Sequence, residues 1–143
     1  MVDPKWVGKV LPTVKYEVGL EKIKEYALAV NDHNPLYLDE EAAKAGPYGQ
    51  IVAPPMFAVV YSKEFIHHAL FDKDLSMDFS MLVHGEQEFV FHRLVRPGDV
   101  VITSGKVKEI VNKENLDLVT FESESRVNGE LVTTGIYTMA IRR

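Results

Sequence analysis

Three turn signals divide the second half of the chain into four long runs, and that division constrains the fold more than any other feature. Arg96-Pro97-Gly98-Asp99 suits a type II turn, with glycine at the position where φ must be positive. Asn128-Gly129 is a strong type I′ hairpin signal. Asn112-Lys113-Glu114-Asn115 is a polar connection of hairpin length. The spacing predicts strands over 84–95, 99–111, 116–127 and 130–141. Connections this short join only antiparallel neighbours, so the four runs make an antiparallel meander.

The first half reads differently. A short strand is predicted over Val14 to Val18 and ends at Gly19. Leu20, Ile23, Ala27 and Val30 then fall on one face of a helix. Asn31-Asp32-His33-Asn34-Pro35 ends that helix, because proline disfavours helical geometry in the residue before it. Asp39 is placed to cap a second short helix, which Gly46-Pro47 stops. Pro55 suits the first position of a third helix running to Leu70. Met56 to Tyr61 is apolar all round, which predicts burial on every side. A buried helix followed by a long meander implies an α+β chain, one domain over residues 1–143, with the sheet curled around the helix.

Composition narrows the function. The chain has 143 residues, enough for a real core, and no cysteine, which removes disulfides, thiolate metal sites and a cysteine nucleophile. Its net charge of −5 argues against a nucleic-acid surface. No run is long and apolar enough for a membrane helix, and Met1-Val2-Asp3-Pro4-Lys5-Trp6 does not resemble a signal peptide, so the expected location is the cytoplasm. There is no Gly-x-Ser-x-Gly elbow and no Walker-type loop. His67 and His68 adjoin on a helix and do not form an i, i+4 metal pair, so no metal is expected.

Several runs carry a family resemblance. Ala29-Val30-Asn31-Asp32-His33-Asn34-Pro35-Leu36-Tyr37 resembles the Gly-Asp-x-Asn-Pro-Leu-His signature of MaoC-like and (R)-specific enoyl-thioester hydratases. The likeness continues through Asp39, Ala42-Ala43, Ile51-Val52-Ala53-Pro54-Pro55-Met56-Phe57, His84-Gly85-Glu86-Gln87-Glu88-Phe89 and Arg96-Pro97-Gly98-Asp99. Together these look most like the FAS1-like dehydratase branch. The resemblance implies a hot-dog fold, in which a sheet wraps a central helix. It also implies pairing with a second hot-dog domain, as homodimer or heterodimer. The substrates would be acyl-CoA or acyl-ACP thioesters, and the chemistry reversible hydration of a double bond with no metal or redox cofactor.

That chemistry needs a base for water, an acid for the α-carbon and donors for the enolate oxygen. In the family an Asp, a His five positions later and a glycine N–H at the start of the central helix supply them. Asp32 matches the Asp, although an Asp in such a turn also serves simply to bond backbone N–H groups. Asn34 would orient the site, or only shape the turn before Pro35. Tyr37 stands where the His belongs, and an unperturbed phenol, with a pKa of about 10, is a poor base. It could still donate a hydrogen bond or line an acyl tunnel. Pro55 stands where the glycine belongs and has no N–H, leaving those of Met56 and Phe57. His33 is expected to point away. His84, which shares strand parity with Glu86, Glu88, Val90 and His92, is either a substrate-facing imidazole or a structural strand-start residue. Arg93, Arg96, Lys106 and Lys108 are candidates for a phosphopantetheine phosphate, or ordinary surface charges.

The double departure at Tyr37 and Pro55 resembles the A-type, substrate-binding subunit of heterodimeric (3R)-hydroxyacyl-carrier-protein dehydratases, in which a partner carries the complete Asp and His. The alternatives are a self-sufficient homodimeric hydratase using Asp32, a non-catalytic thioester-binding protein and a hot-dog thioesterase.

Overall fold

The computed structural model describes residues 1–143. The strands are β1 (Val14–Glu17), β2 (Leu82–Phe91), β3 (Val100–Lys113), β4 (Leu116–Val127) and β5 (Glu130–Arg142). They form one antiparallel sheet in the order β1-β3-β4-β5-β2. The helices are α1 (Leu20–Ala29), α2 (Pro35–Leu38), α3 (Glu40–Ala45), α4 (Ala58–Tyr61) and α5 (Lys63–Leu70), with a 3-10 turn at Pro55–Phe57 leading into α4. This is the α+β hot-dog arrangement, with α4 and α5 against the inner face of the sheet.

The predicted four-strand meander holds only for β3, β4 and β5, whose two hairpins close where their turn residues require. Arg96-Pro97-Gly98-Asp99 closes no hairpin, because β2 pairs with β5 at the far edge and residues 92–99 carry the chain across to β3. Gly98 (φ +88°) takes the positive-φ position of the type II turn, closed by Asp99 N–H donating to Arg96 O at 3.1 Å. Asn128 and Gly129, at φ +49° and +79°, are both left-handed, as a type I′ turn demands. Along β3, β4 and β5 buried side chains alternate with more exposed ones. Val107, Phe121, Tyr137 and Met139 pack with Phe65 of α5, while Val101, Val127 and Val132 pack with Phe57 and Tyr61. Gly105 lies where sheet and helix approach most closely: a Cβ there would sit 2.6 Å from Phe65 Cζ and 2.0 Å from Glu122 O.

The central helix differs from the unbroken Pro55–Leu70 span predicted. It breaks at Ser62 (φ −98°, ψ 0°), between α4 and α5. The buried Ser62 hydroxyl donates to Ala58 O at 2.6 Å, a back-bond that bends helices. It also accepts from Tyr137 OH at 3.1 Å, so the polar break is satisfied inside the core. Nor is the apolar segment buried all round. Phe57, Ala58 and Tyr61 are, but Met56 is 46% and Val59 40% exposed, because the sheet covers one side only. Val30 is likewise exposed, since α1 stops at Ala29.

The first long strand is Leu82–Phe91 rather than 84–95, and a bulge at Gly85 shifts its register against β5. Before the bulge His84 pairs with buried Met139; beyond it Gln87, Phe89 and Phe91 pair with Tyr137, Gly135 and Thr133. Opposite residues share a face. His84 therefore lies on the inner face with Gln87, Phe89 and Phe91, not with Glu86, Glu88, Val90 and His92 as simple alternation predicted. The extra residue reverses the parity.

Candidate active site

The segment after α1 builds the site from local hydrogen bonds. Asn31 takes a left-handed conformation (φ +58°) that turns the chain sharply, and its Oδ1 lies 2.9 Å from the exposed His33 Nε2. Asp32 N–H donates to Ala27 O at 2.8 Å, and Asp32 Oδ1 accepts from Asn34 N–H at 3.2 Å. Asn34 Oδ1 accepts from Leu36 N–H at 3.0 Å and so caps α2, with Pro35 at its first position. The turn predicted to end α1 thus starts a further helix, one turn long, whose third residue is Tyr37. Asp39 then caps α3 by accepting from the N–H groups of Glu41 and Ala42.

Tyr37 lines a cleft of about 510 Å³ together with Asn34, Tyr48, Pro55, His92 and Leu94. Burial raises the Tyr37 phenol above its ordinary value, and the charges of Asp32 and Tyr48 push the same way. Tyr37 is therefore a protonated phenol at neutral pH, a group that can donate a hydrogen bond but is a poor base. Asp32, half-buried, does not line the cleft but is close enough for its charge to act on Tyr37.

The start of the central helix forms another wall. Phe57 N–H is occupied by Pro54 O at 2.9 Å, and the Phe57 ring is fully buried against Tyr16, Tyr26 and Tyr61. Its side chain is a core element. Pro55 has no N–H, and Met56 N–H bonds no backbone or side-chain acceptor, so it is the open donor at this end of the helix. Met56 leaves its thioether exposed beside it.

The remaining candidates lie elsewhere. His84 sits at the far end of β2, exposed, with Nε2 3.1 Å from Glu86 O. Seven residues of strand, one absorbed by the bulge, separate it from Phe91, which is roughly 20 Å at about 3.3 Å per residue. The structure brings Asn34, Tyr37 and Pro55 together and leaves His84 outside. Arg93 is neutralised at the cleft margin by Asp99 (2.9 Å) and Glu130 (3.2 Å). Lys106 pairs with Glu122 at 3.3 Å. It and Lys108 line a shallow trough of about 580 Å³ on the outer face of the sheet. That trough is the larger of the two hollows, but its lysines alternate with Glu88, Glu122 and Glu124, and it holds no oriented donors. Arg96 keeps a buried Nε without a hydrogen-bond partner.

Of the lining residues that the sequence did not single out, two carry polar groups, Tyr48 and His92. Tyr48 lies in a Gly-Pro-Tyr-Gly loop with no periodicity to mark it. His92 was legible only as a neighbour in strand alternation; it reaches the cleft because β2 ends at Phe91.

Comparison with known proteins decides the family. The FAS1-like dehydratase domain region matches residues 5–135. The chain belongs to the FAS1-like dehydratase family. Within it, a UPF0336 protein of Saccharopolyspora erythraea is 41% identical over 143 residues, covering 99% of this chain and 92% of the relative. Among solved structures, a subunit of the HadBC (3R-hydroxyacyl-ACP dehydratase) complex of Mycobacterium tuberculosis superposes with TM-score 0.80 at 26% identity, over 92% of this chain and 93% of that one. The (R)-hydratase of A. caviae superposes with TM-score 0.70 over 93% and 94%, and at 20% identity that likeness speaks for the fold alone. In this member of the FAS1-like dehydratase family the cleft between α2 and the central helix start is the candidate active site. No helix is long and apolar enough to cross a membrane.

Proposed function

We propose that this chain binds the acyl-thioester substrate of a hydratase or dehydratase as one of two paired hot-dog subunits, and that an Asp- and His-complete partner performs the proton transfers. The observation that carries this reading is Tyr37 in the wall of the cleft, a phenol, and so a poor base at neutral pH, where the family signature has a histidine. Pro55 adds to it by withholding the N–H at the helix start. What remains suits binding. Asn34 and Tyr37 offer polar groups, Met56 N–H is free for a thioester carbonyl, and the exposed Met56 and Val59 side chains give an apolar surface beside the cleft. The substrate is an acyl-CoA or acyl-ACP. The HadBC neighbour, by its name an acyl-ACP dehydratase and by its description a complex, supports both the substrate class and the pairing.

A second reading has one observation on its side. The His92 imidazole lines the same cleft as Tyr37 and could replace the missing His in a homodimer that uses Asp32. Variants separate the two. On the binding-subunit reading the chain alone hydrates crotonyl or longer enoyl thioesters negligibly. Tyr37→His restores little by itself, and Tyr37→His combined with Pro55→Gly gains most. The gain should be about 10²-fold or more, since a proton-transfer group contributes about 10²–10⁴ and an oxyanion donor about 10²–10³. Steady-state rates for the wild type and both variants provide the check. Brisk wild-type turnover that His92→Gln abolishes would favour the second reading.

A further inference from the structure

His84 lies on the inner face of the sheet at an open edge, exposed and far from the cleft of its own chain. β2 has β5 on one side and no strand on the other. Exposed apolar side chains on this strand are Val83 (62%), Val90 (47%) and Phe91 (38%), with Met81 (41%) just before it. A long, uncovered edge of ten residues invites a second strand. When that strand is β2 of a second copy, a two-fold axis perpendicular to the sheet makes the pairing antiparallel and keeps both inner faces on one side.

Matching of faces then limits the register. Beyond the bulge the inner residues are Gln87, Phe89 and Phe91, and the outer ones Glu86, Glu88 and Val90. Inner side chains meet inner ones only if the axis passes through a residue. An axis through Glu88 would set two carboxylates directly opposite, which is destabilising. An axis through Phe89 sets Phe89 against its copy, Gln87 against Phe91, Glu88 against Val90 and Glu86 against His92. One step further, past the bulge, His84 of one copy comes level with Arg93 of the other, between two cleft-lining residues, His92 and Leu94. We infer that His84 serves the cleft of the neighbouring subunit: a second copy docked along β2 carries its imidazole to the Tyr37–Pro55 cleft, and receives this one in return. This rests on the paired-subunit reading above, with a second copy of this chain in the partner's place.

Cross-linking tests it, and the absence of native cysteine leaves every link attributable to introduced residues. Within one chain, His84 and His92 are roughly 23 Å apart at about 3.3 Å per residue; across the proposed axis they are neighbours. The two copies of His84 are roughly 26 Å apart, and those of His92 roughly 20 Å. The variant His84→Cys with His92→Cys, treated with a short bismaleimide, should give a covalent dimer on a denaturing gel, and neither single variant should. Both positions are exposed, so folding should survive, checked by thermal melting. If light scattering shows a dimer and the double variant still runs as single chains, or if either single variant links to itself, the inference is overturned while pairing stands. If light scattering shows a monomer, self-pairing fails and the inference falls with it, while pairing with a different hot-dog subunit is decided by the mixed-subunit assay.

Discussion

The two edges of the sheet are finished in opposite ways. The β1 edge is four residues long and carries exposed Lys15 and Glu17. Beside it the N-terminal segment continues along β3: Gly8 N–H donates to Val107 O at 2.8 Å, Val107 N–H to Lys9 O at 2.9 Å and Leu11 N–H to Gly105 O at 3.0 Å. Asp117 fixes that segment, accepting from Val2 N–H at 2.9 Å and from Asn112 at 2.8 Å. The β2 edge has ten residues and no such cover, and its exposed side chains include Val83, Val90 and Phe91. A short charged edge closed by its own chain resists further pairing, whereas a long one left open, with Val83, Val90 and Phe91 exposed beside Glu86 and Glu88, stays free to pair. The cleft sits by the open edge, where β2 runs out, so binding of substrate and binding of a partner concern the same end of the molecule.

Charges placed on the open edge should have the largest effect on assembly. Val83→Asp with Phe91→Asp should raise the dimer dissociation constant by about 10²- to 10³-fold, because each buried, unpaired carboxylate costs on the order of 2 kcal/mol and 1.4 kcal/mol is a factor of ten. Sedimentation velocity reads this directly. An unchanged dimer would move the interface off β2.

The closed edge should respond in stability and not in assembly. Asp117→Ala leaves the Val2 N–H and Asn112 without their charged acceptor and should destabilise the fold by about 2–3 kcal/mol in urea, with the association state unchanged. Burial pushes the Asp117 carboxyl up, but hydrogen bonds from Asn112 and Val2 and the charges of Arg143 and the N-terminus outweigh it and hold the carboxyl below its usual value. A depressed folded-state value stabilises above the unfolded value, near pH 4, and that stability is lost as pH falls through the lower folded value. Asp117→Asn should therefore flatten the acid limb of the stability–pH curve. A limb as steep as that of the wild type would assign it to other carboxylates.

The open edge and the cleft were the parts least legible in the sequence. Turn chemistry announced the β4–β5 hairpin, because Asn128-Gly129 dictates its backbone conformation locally. Pro97-Gly98 fixed a turn in the same way but not a hairpin, since the pairing of β2 with β5 is tertiary. The Gly85 bulge sends no comparable signal, since one unpaired residue leaves composition untouched yet reverses the face of His84. The break at Ser62 depends on a hydroxyl that bonds Ala58 within the helix and Tyr137 across the core, and only the first of these is local. Asp32, Asn34, Tyr37 and Pro55 were visible through the resemblance. The fold gathers Asn34, Tyr37 and Pro55 around the cleft with Asp32 close to Tyr37, yet directs Phe57 into the core. Tyr48 and His92 join them by tertiary proximity alone.

The central claim is that this subunit holds the acyl chain and leaves proton transfer to a partner. The most direct measurement is the hydration rate of an enoyl thioester with this chain alone, with an Asp- and His-complete hot-dog subunit alone, and with the two mixed. The account predicts negligible turnover from this chain by itself and a mixed rate at least about 10²-fold above it, exceeding the sum of the separate rates. Fast turnover by this chain alone, abolished in Asp32→Asn and unaffected by the added subunit, would contradict it.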